Sequence, residues 1–379
     1  MSRRNYPKAG LFLEWSPMKS QEDDKPRGIR EIADALGVSI GTVDRALHDR
    51  KGVNPKTRDK VLRMAQKLRY TPNIAARSLK LSRQLKLGVY LPKQIASYFD
   101  TLRDGIKAAA NAETTVNIDL HFHSYPRLGK GDIEIMQRTD WLHFDGLIVC
   151  PGLPSRMAEI SNAAAQHGKP IVCVSTDAPR MHRLASITAD SFVSGAIAAE
   201  LLGNWVAERG EVAVFTGDLQ VQDHADKLRG FAAMLATNAA HLTLLPAIES
   251  HESFDHAFKA TKTILAKHPH LRGLYVSTAN CLPVLRAVAE SERSGQIRTV
   301  TTDLFPEMIP YLEGGQVSAS LYQRPFTQGK LAVETLSSFL TRGIHPKMNT
   351  RLAPHIVLRS NLPLFTERLD RPRDGNGEF

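Results

Sequence analysis

Cysteine is scarce in this 379-residue sequence and long apolar runs are missing, and both features narrow the class of protein. The three cysteines are far apart and lack the spacing of metal ligands, so we expect buried, reduced thiols and no disulfide framework. No apolar run approaches the roughly 18 residues of a membrane span, and LFLEW near the start is too short for a signal-peptide core. We therefore expect a cytoplasmic protein without membrane contact, with a disordered leader (1–26) and a flexible tail (367–379).

Motifs that mark common enzyme classes are also missing. There is no Walker A loop, no GxGxxG after a strand, no GxSxG and no HExxH. His121 and His123 alternate along one predicted strand, so both imidazoles share a face, where they could hold a metal or lie solvated at the edge of a core. We expect no metal, no cofactor and no enzymatic activity. The alternative is a carbohydrate-active or nucleotide-dependent α/β enzyme with an accessory basic domain.

The formal net charge of +10 is concentrated near the N-terminus. Residues 27–83 hold fourteen Lys or Arg against five Asp or Glu, whereas the residues from 84 onward carry no net charge. A basic module on a neutral body is typical of a domain that binds phosphate groups. A basic solubilising tail would have the same charge but not the regular apolar spacing of this segment.

Three short helices are predicted within the basic segment. The first covers 29–36 and is followed by Gly37, which suits the position after a helix C-terminus. Ser39 is a good N-cap for the second helix, and Asn54 caps a third over about 55–69. Two short helices joined by a tight glycine turn and braced by a third form a helix-turn-helix domain, here 27–72. The side chains expected to be buried are Ile29, Ile32, Ala33, Leu36, Val43, Ala46, Leu47, Val61, Leu62, Ala65 and Leu68.

The second helix is the one expected to meet DNA. The residues left on or near its outer face are Ile40, Gly41, Asp44 and Arg45. In such domains the N-terminal part of this helix enters the major groove, where Arg45 can donate to guanine O6 and N7, unless it is a solvated surface arginine. Ser39, Thr42 and Asn54 are placed to bond phosphate oxygens and so to fix the register.

The segment IREIADALGVSIGTVDRALHDRKGVNPKTRDKVLRMAQKLRYTPNIAARSLK resembles the N-terminal domain of the LacI family of bacterial transcription regulators. The resemblance implies a homodimer that reads paired half-sites of double-stranded operator DNA and is associated with the nucleoid when bound. One departure is Asp44, where the family usually has serine. This carboxylate could repel phosphate, accept from a cytosine amino group, or pair with a basic side chain and steer Arg45.

Residues 73–84 connect the basic domain to the body. A helix this short is marginal in water on its own, because helix nucleation is costly. The resemblance implies a hinge helix that orders on operator DNA and places Leu79, with Ala76 beside it, in the minor groove, where such a wedge kinks the duplex. The alternative is a plain linker with Leu79 packed on the body.

From Leu85 onward, Val- and Ile-rich runs alternate with amphipathic segments, which indicates parallel sheets covered on both faces. The expected strands are 85–92, 117–123, 145–151, 170–176, 211–217, 273–278 and 299–303. The expected helices are 100–112, 154–167, 191–209, 224–236, 255–267 and 281–293. The predicted fold is therefore an all-α helix-turn-helix domain followed by an α/β body of two Rossmann-like subdomains.

The body (85–366) resembles type 1 periplasmic sugar-binding proteins, in which the chain crosses three times between two halves that enclose a ligand. By this resemblance the crossings are expected near 188–190, 318–324 and 346–352. The expected extents are about 85–188 and 321–348 for one subdomain, and about 189–320 and 349–366 for the other.

Candidate effector residues lie just after the predicted strands, where such folds bind ligands. Tyr98 and Phe99 could stack on the apolar face of a sugar ring, and the carboxylates of Asp177 and Asp303 could accept protons from sugar hydroxyls. The resemblance adds Lys227, where the family has an arginine, and also Asn280 and Gln323. Each of these residues could instead be a helix cap or an interface residue.

The expected function is a repressor whose operator affinity is set by a small molecule. A sugar or polyol is the first expectation, and a nucleobase, an inositol-like molecule or a sugar phosphate stays open. The effector would favour one arrangement of the two halves and so change how paired hinge segments approach DNA, with release of DNA as the default. A secreted binding protein is the third possibility, but the basic segment and the lack of a signal peptide count against it.

Overall fold

The computed structural model describes residues 29–47, 52–68 and 84–365. The chain divides into two compact units, 1–73 and 74–379. We call the described part of the first unit the head and that of the second unit the body, and we treat each by itself. None of the helices described is both long and apolar enough to cross a membrane.

The head contains three helices: α1 (Ile29–Leu36), α2 (Ile40–Leu47) and α3 (Pro55–Lys67). Ile32, Val43 and Val61 are fully buried and form its small core, which confirms the predicted helix-turn-helix. Leu62 was expected in this core but is 43% exposed. It follows Val61 directly, so it lies about a quarter of a turn away from the stripe that packs on α1 and α2.

The helix ends of the head follow from local sequence. Gly37 has a left-handed backbone with φ +64°, which a glycine adopts without steric cost and which lets the chain turn between α1 and α2. Ser39 Oγ accepts a hydrogen bond of 3.1 Å from the Thr42 N–H at the start of α2. Asn54 Oδ1 accepts one of 2.9 Å from the Lys56 N–H at the start of α3. Both predicted caps are confirmed.

The body has two lobes, each built on one sheet. The elements of the first lobe are β1 (Leu85–Pro92), α4 (Ala96–Ala112), β2 (Ile118–Tyr125), α5 (Asp132–Arg138), β3 (Gly146–Val149), α6 (Pro154–Gln166), β4 (Ile171–Val174) and β5 (Ala185–Ala189). Its sheet is parallel throughout and has the order β12-β5-β4-β3-β1-β2, where β12 is Asn349–Leu352.

The elements of the second lobe are α7 (Ser191–Trp205), β6 (Gly210–Thr216), α8 (Gln222–Asn238), β7 (Leu242–Leu244), β8 (Ile248–Glu249), α9 (Phe254–Lys267), β9 (Leu271–Val276), α10 (Leu282–Ala289), β10 (Arg298–Thr302), α11 (Ile309–Glu313) and β11 (Ala319–Tyr322). Its sheet has the order β13-β11-β10-β9-β6-β7, with β8 on β6. The strand β13 (His355–Val357) is antiparallel to β11, and the other pairs are parallel. These two sheets confirm the predicted two-part α/β body.

The chain passes three times between the lobes, and one expected boundary needs a correction. Helix α12 (Pro325–Arg342) packs on α4 in the first lobe, so the second passage follows the end of β11 at Tyr322, within the expected 318–324. Strand β12 was expected in the second subdomain but pairs with β5 in the first sheet. Its sequence, NTRL, lacks the continuous apolar run that identifies a buried strand.

The same close helix contact occurs once in each lobe. A Cβ on Gly105 of α4 would overlap the backbone of Phe326, and one on Gly329 of α12 would overlap the backbone of Leu102. In the second lobe, glycines of α7 and α8 are equally close to the facing helix: Gly195 to the Lys227 backbone and Gly230 to the Phe192 backbone. Because only glycine permits such an approach, these four positions fix the spacing of both helix pairs.

Candidate functional site

The head presents the N-terminal half of α2 at its surface. Ile40 is 48% exposed, and Gly41 and Arg45 are also exposed. Asp44 is half-buried beside them. A Cβ on Gly41 would be 4.0 Å from Arg45 Nη2, so the guanidinium lies over the glycine near the start of the helix. The four residues assigned to the outer face are thus accessible or partly accessible.

Three further residues of the head were expected to bind phosphate. Ser39 and Thr42 share a hydrogen bond of 2.9 Å between their hydroxyls at the start of α2, and Asn54 is exposed at the start of α3. Helix α3 adds a basic surface, whose exposed members are Lys56, Lys60, Arg63 and Lys67. Ala76 and Leu79, like the rest of the expected hinge apart from Gln84, lie outside the described residues.

In the body, polar side chains meet where the strands of the two sheets end. Asp303 follows β10 and is 2% exposed, with a left-handed backbone at φ +68°. Its two carboxylate oxygens accept from Gln323, at 3.0 Å from the backbone N–H and at 2.6 Å from Nε2. Burial raises the pKa of the Asp303 carboxyl to about 6, although Lys227 and the Gln323 donors act in the opposite direction. The structure thus brings three of the predicted effector residues together.

Lys227 is held in a buried ion pair. Its Nζ lies 2.7 Å from Asp223 Oδ2 and donates to the Ser277 carbonyl oxygen at 3.1 Å. Asp223 also accepts from the Ser191 hydroxyl at 2.5 Å. Burial acts to raise the pKa of Asp223, but Lys227, His224 and these hydrogen bonds together hold it below its ordinary value. Two of the three ammonium donors of Lys227 are therefore used within the protein.

Tyr98 and Phe99 begin α4 and pack edge to face, with ring centroids 4.9 Å apart. Phe99 is 3% exposed and, like Tyr98, belongs to the apolar core of the first lobe, so the stacking of these rings on a ligand stays a prediction. Tyr98 is buried too, but its hydroxyl has no hydrogen-bond partner among the described residues. Burial and the nearby charges of Asp303 and Asp223 raise the pKa of this phenol well above its ordinary value.

Asp177, expected at the ligand, is hydrogen-bonded within its own lobe. Arg183 donates to both of its oxygens, at 2.5 Å and 2.6 Å, and the Ala178 N–H donates at 2.7 Å. Arg183 also reaches Asn349 Oδ1 at 2.8 Å, which ties the loop to β12. This carboxylate therefore anchors its own loop, and because it also lines a cavity between the lobes, its role at a ligand stays a prediction.

Glu252 is the main residue of the site that the sequence did not reveal. It is 2% exposed in the loop after β8, and both of its oxygens lie 2.8 Å from the Thr278 hydroxyl. Burial raises the pKa of its carboxyl. Asn280, which was predicted, follows in the same loop as Thr278, and its Nδ2 is buried without a hydrogen-bond partner among the described residues.

The two lobes touch across the cleft between them. Gln94 of the first lobe donates from Nε2 to the Glu252 carbonyl oxygen. The Asp223 N–H donates to Thr176 Oγ1 at 3.2 Å, and Val221 joins the apolar core of the first lobe. The two lobes are therefore in direct contact in the described conformation. A cavity of about 440 Å³ lies beside this contact and is lined by residues of both lobes, among them Thr176, Ser186, Asp190, Gln222, Asp223 and Arg351.

One side chain connects the lobes through the second passage. Gln328 of α12 is fully buried. Its Oε1 accepts from the Ser175 N–H at 3.0 Å, and its Nε2 donates to the Gln323 carbonyl oxygen at 2.8 Å. Because Gln323 holds Asp303, a continuous series of hydrogen bonds runs from the end of β4 to the end of β10.

One group of potential metal ligands occurs among the described residues. Donor atoms of Asp218, Glu249 and His251 lie within 4.8 Å of one another at the rim of the second lobe. Glu249 Oε2 already accepts from the Leu219 N–H at 2.8 Å, and Asp218 Oδ1 accepts from the Gln220 N–H at 2.9 Å. These carboxylates stabilise their own loops, and His121 and His123 are not part of this group.

Two family profiles match the chain. The one described as bacterial regulatory proteins, lacI family, matches residues 28–73, and the one described as periplasmic binding protein domain matches residues 87–343. The catabolite control protein A of Staphylococcus epidermidis is 27% identical over 243 residues, which cover 64% of this chain and 71% of that protein. The ribose operon repressor of Bacillus subtilis is 24% identical over 268 residues, covering 71% and 77%.

Solved structures share the fold of the body. A solute-binding protein of an ABC transporter from Burkholderia graminis, in complex with D-arabinose, has a TM-score of 0.68 at 22% identity and covers 73% of this chain and 96% of its own. A glucose-galactose binding protein from Geobacillus stearothermophilus has a TM-score of 0.68 at 24% identity, covering 74% and 100%. A myo-inositol-bound solute-binding protein from Bacillus halodurans gives 0.68 at 14%, covering 76% and 99%.

Proposed function

Because the chain belongs to the LacI family of bacterial regulatory proteins and carries a periplasmic-binding-protein body, we propose that it is a cytoplasmic repressor controlled by a sugar or polyol. In this proposal a homodimer binds paired half-sites of operator DNA, and the effector binds between the lobes of the body. The observation that carries the proposal is the combination of a DNA-reading head with buried polar groups of both lobes that meet in one cleft.

The head supports the DNA-binding part of the proposal. Arg45 is exposed on α2 and has the length to donate to guanine O6 and N7 in the major groove. Ser39, Thr42 and Asn54 are accessible at helix starts, where hydroxyls, amides and N–H groups bind phosphate oxygens. Ala76 and Leu79 are proposed as the minor-groove contacts of the hinge, on the resemblance alone.

The body supports the effector part. Solved proteins of this fold are described with D-arabinose, glucose, galactose or myo-inositol, and one relative is a ribose operon repressor. In this chain, Asp303 and Gln323 offer acceptors and donors at the strand ends, Tyr98 offers a hydroxyl and an aromatic ring, and Asn280 a free amide nitrogen. Such groups suit a polyhydroxy ligand, because each ring hydroxyl both donates and accepts.

Control of DNA affinity is proposed to work by a shift of population. The contacts from Gln94 to Glu252 and from Thr176 to Asp223 exist only when the lobes are closed. A ligand that binds better to one arrangement of the lobes favours that arrangement by its difference in affinity, and no more. The lobes lead through the hinge to the head, and we propose that the effector-bound arrangement releases DNA.

The DNA-binding part is tested by selecting bound fragments from a random DNA library with the full-length protein. Recovery of a two-fold symmetric site supports the homodimer on paired half-sites, and recovery of no enriched sequence contradicts it. Arg45→Ala should then lower discrimination between this site and scrambled DNA by about 1–3 kcal/mol for each lost base contact, measured by fluorescence anisotropy. Lys60→Ala on α3 is the control, because losing a phosphate contact weakens both DNAs equally.

The effector part is tested with Asp303→Ala. Sugars and polyols that raise the melting temperature of the full-length protein are identified first, since ligand binding stabilises the folded state by mass action. Each is then tested for release of the selected site. Asp303→Ala should bind DNA as the unmodified protein does but should no longer respond. A response that survives the substitution would place the effector elsewhere.

A further inference from the structure

The cleft contains more buried negative charge than buried positive charge. Three carboxylates of the second lobe, Asp223, Glu252 and Asp303, lie near a single ammonium group, that of Lys227, and all four side chains belong to residues at least nine-tenths buried. Lys227 contacts Asp223 and the Ser277 carbonyl oxygen after β9, Glu252 contacts the adjacent Thr278, and Asp303 follows the neighbouring strand β10, so the four groups lie at one edge of the sheet. Buried charges are normally compensated, because an isolated charge is costly to remove from water.

Lys227 compensates only one of the three carboxylates. It is bonded to Asp223 at 2.7 Å and to a carbonyl oxygen. Asp303 has only the neutral donors of Gln323, and the oxygens of Glu252 have the hydroxyl of Thr278. Burial accordingly raises the pKa of both carboxyls, that of Asp303 to about 6.

The other cationic groups near the cluster do not remove the imbalance. His224 Nε2 is 3.7 Å from Glu252 Oε1, which is beyond hydrogen-bond distance, and its Nδ1 is bonded to the Asp218 backbone. Arg127 of the first lobe is only half-buried and acts on Glu252 more weakly than His224 or Lys227 does. Among the described residues, Asp303 and Glu252 therefore have no lysine or arginine within ion-pair distance, and Glu252 has only the imidazole of His224 at 3.7 Å.

Unpartnered polar groups point to a ligand at the same place. The Tyr98 hydroxyl is buried, senses both Asp303 and Asp223, and has no hydrogen-bond partner among the described residues. Ser277 Oγ, next to the carbonyl oxygen that Lys227 binds, and Asn280 Nδ2 are also buried atoms without a hydrogen-bond partner among the described residues. These three groups can donate hydrogen bonds, and hydroxyl oxygens of a ligand can accept them.

We propose that the ligand of this cleft is a cationic polyhydroxy compound, an amino sugar or amino-polyol, whose ammonium group compensates Asp303 and Glu252. Its hydroxyls accept from Tyr98, Ser277 and Asn280. The inference rests on the proposed function, since it concerns the chemistry of the effector bound in the same cleft. It disfavours sugar acids and sugar phosphates, because an added anion would meet two carboxylates that already lack a counter-ion.

The test compares matched sugars that differ in one substituent. D-glucosamine, D-galactosamine and D-mannosamine are titrated into the full-length protein by calorimetry beside the parent sugars and their 6-phosphates. We expect at least one amino sugar to bind tenfold or more tightly than its parent, and the phosphates not to bind. Equal or tighter binding of a parent sugar, binding of a phosphate, or no binding by any amino sugar overturns the inference.

Charge-neutralising variants sharpen the test. Glu252→Gln keeps the size of the side chain and its contact with Thr278, so the preference for the amino sugar over its parent should fall at least tenfold. The same variant should raise the melting temperature of the ligand-free protein, because it removes an uncompensated buried charge. Glu292→Gln, which removes an exposed carboxylate on the same lobe, is the control and should change neither quantity. An unchanged preference in Glu252→Gln contradicts the proposal.

The outcomes also separate this inference from the proposed function. If a neutral sugar releases operator DNA and its amino derivative does not, the proposed regulatory function is supported and the preference for an amino sugar is contradicted. An amino sugar that binds tightly but leaves DNA affinity unchanged supports the charge preference and contradicts control by this effector.

Discussion

The two lobes of the body have the same helix packing but contribute differently to the cleft between them. Each lobe holds one helix pair together with a glycine on both helices, as for Gly329 on α12 and Gly230 on α8. The first lobe offers the cleft mostly neutral groups, such as Tyr98, Gln94 and Thr176, and its well-paired Asp177 is held by Arg183. The second lobe offers a buried group of charges. Two lobes with the same helix packing can therefore present different charges to the cleft, because the charged residues lie in loops and at single helix positions.

The largest expected effect is the loss of stability when the cation of an ion pair is removed from each lobe. Lys227→Met should destabilise the body by about 3–5 kcal/mol, because it leaves the buried Asp223 carboxylate without the ammonium group that compensates its charge. Arg183→Met should cost less, about 1–3 kcal/mol, because Asp177 is 19% exposed at its side chain and can be hydrated. Urea unfolding followed by circular dichroism measures both. Equal losses would mean that burial of the pair does not set its contribution.

The next largest effect is the loss of stability when a glycine at the helix contact is replaced, and it should be the same in both lobes. Gly230→Ala and Gly329→Ala each place a Cβ against backbone of the facing helix, which cannot move without separating the helices, and each should cost about 3 kcal/mol. Glu200→Ala on the exposed face of α7 is the control and should be neutral within about 0.5 kcal/mol. If only one of the two substitutions destabilises the protein, the helix contacts of the two lobes are not equivalent.

The pH dependence of stability should report the charge of the second lobe. The pKa of Asp303 is raised from 3.8 to about 6, so the folded state binds its proton more tightly than the unfolded state does. The stabilisation from this proton is fully present below pH 4 and is lost as the pH rises through about 6, by at most about 3 kcal/mol. Unfolding free energies of the protein and of Asp303→Asn, measured between pH 4 and 7, should differ by an amount that changes in this window. A constant difference would show that Asp303 titrates normally.

The smallest expected effect is the loss of ligand affinity when an uncharged hydroxyl of the first lobe is removed. Tyr98→Phe removes one hydroxyl and keeps the ring, so the sugar that binds most tightly in the calorimetric comparison should lose about 1 kcal/mol, or roughly fivefold in affinity. Tyr311→Phe, which changes a partly buried tyrosine away from the cleft, should leave the affinity unchanged. A loss as large as that of Asp303→Ala would assign the main polar contact to the first lobe instead.

The regular part of the fold could be predicted from the sequence, because helix and strand periodicity depend on local burial. The head helices and the seven predicted strands of the body lie where periodicity placed them, with ends shifted by a few residues. Strands β5 and β12 could not be found this way, because ASITA and NTRL have few large apolar side chains and are held by pairing with distant strands.

The site was only partly predictable for a similar reason. The ends of strands indicated Asp303, and the resemblance to a family indicated Lys227 and Gln323, which the structure brings together. Asp223 could have been found from its position one helical turn before Lys227. Glu252 follows a two-residue strand and carries no such signal.

The buried amide of Gln328 has a consequence for evolution. One end of this group accepts from Ser175 and the other donates to Gln323, so the position requires an acceptor and a donor on the same short side chain. Glutamate has no donor at neutral pH, lysine has no acceptor, and alanine has neither. Substitutions at this position should therefore be limited to residues that keep the amide. A homologue without it would need other residues to connect its two lobes.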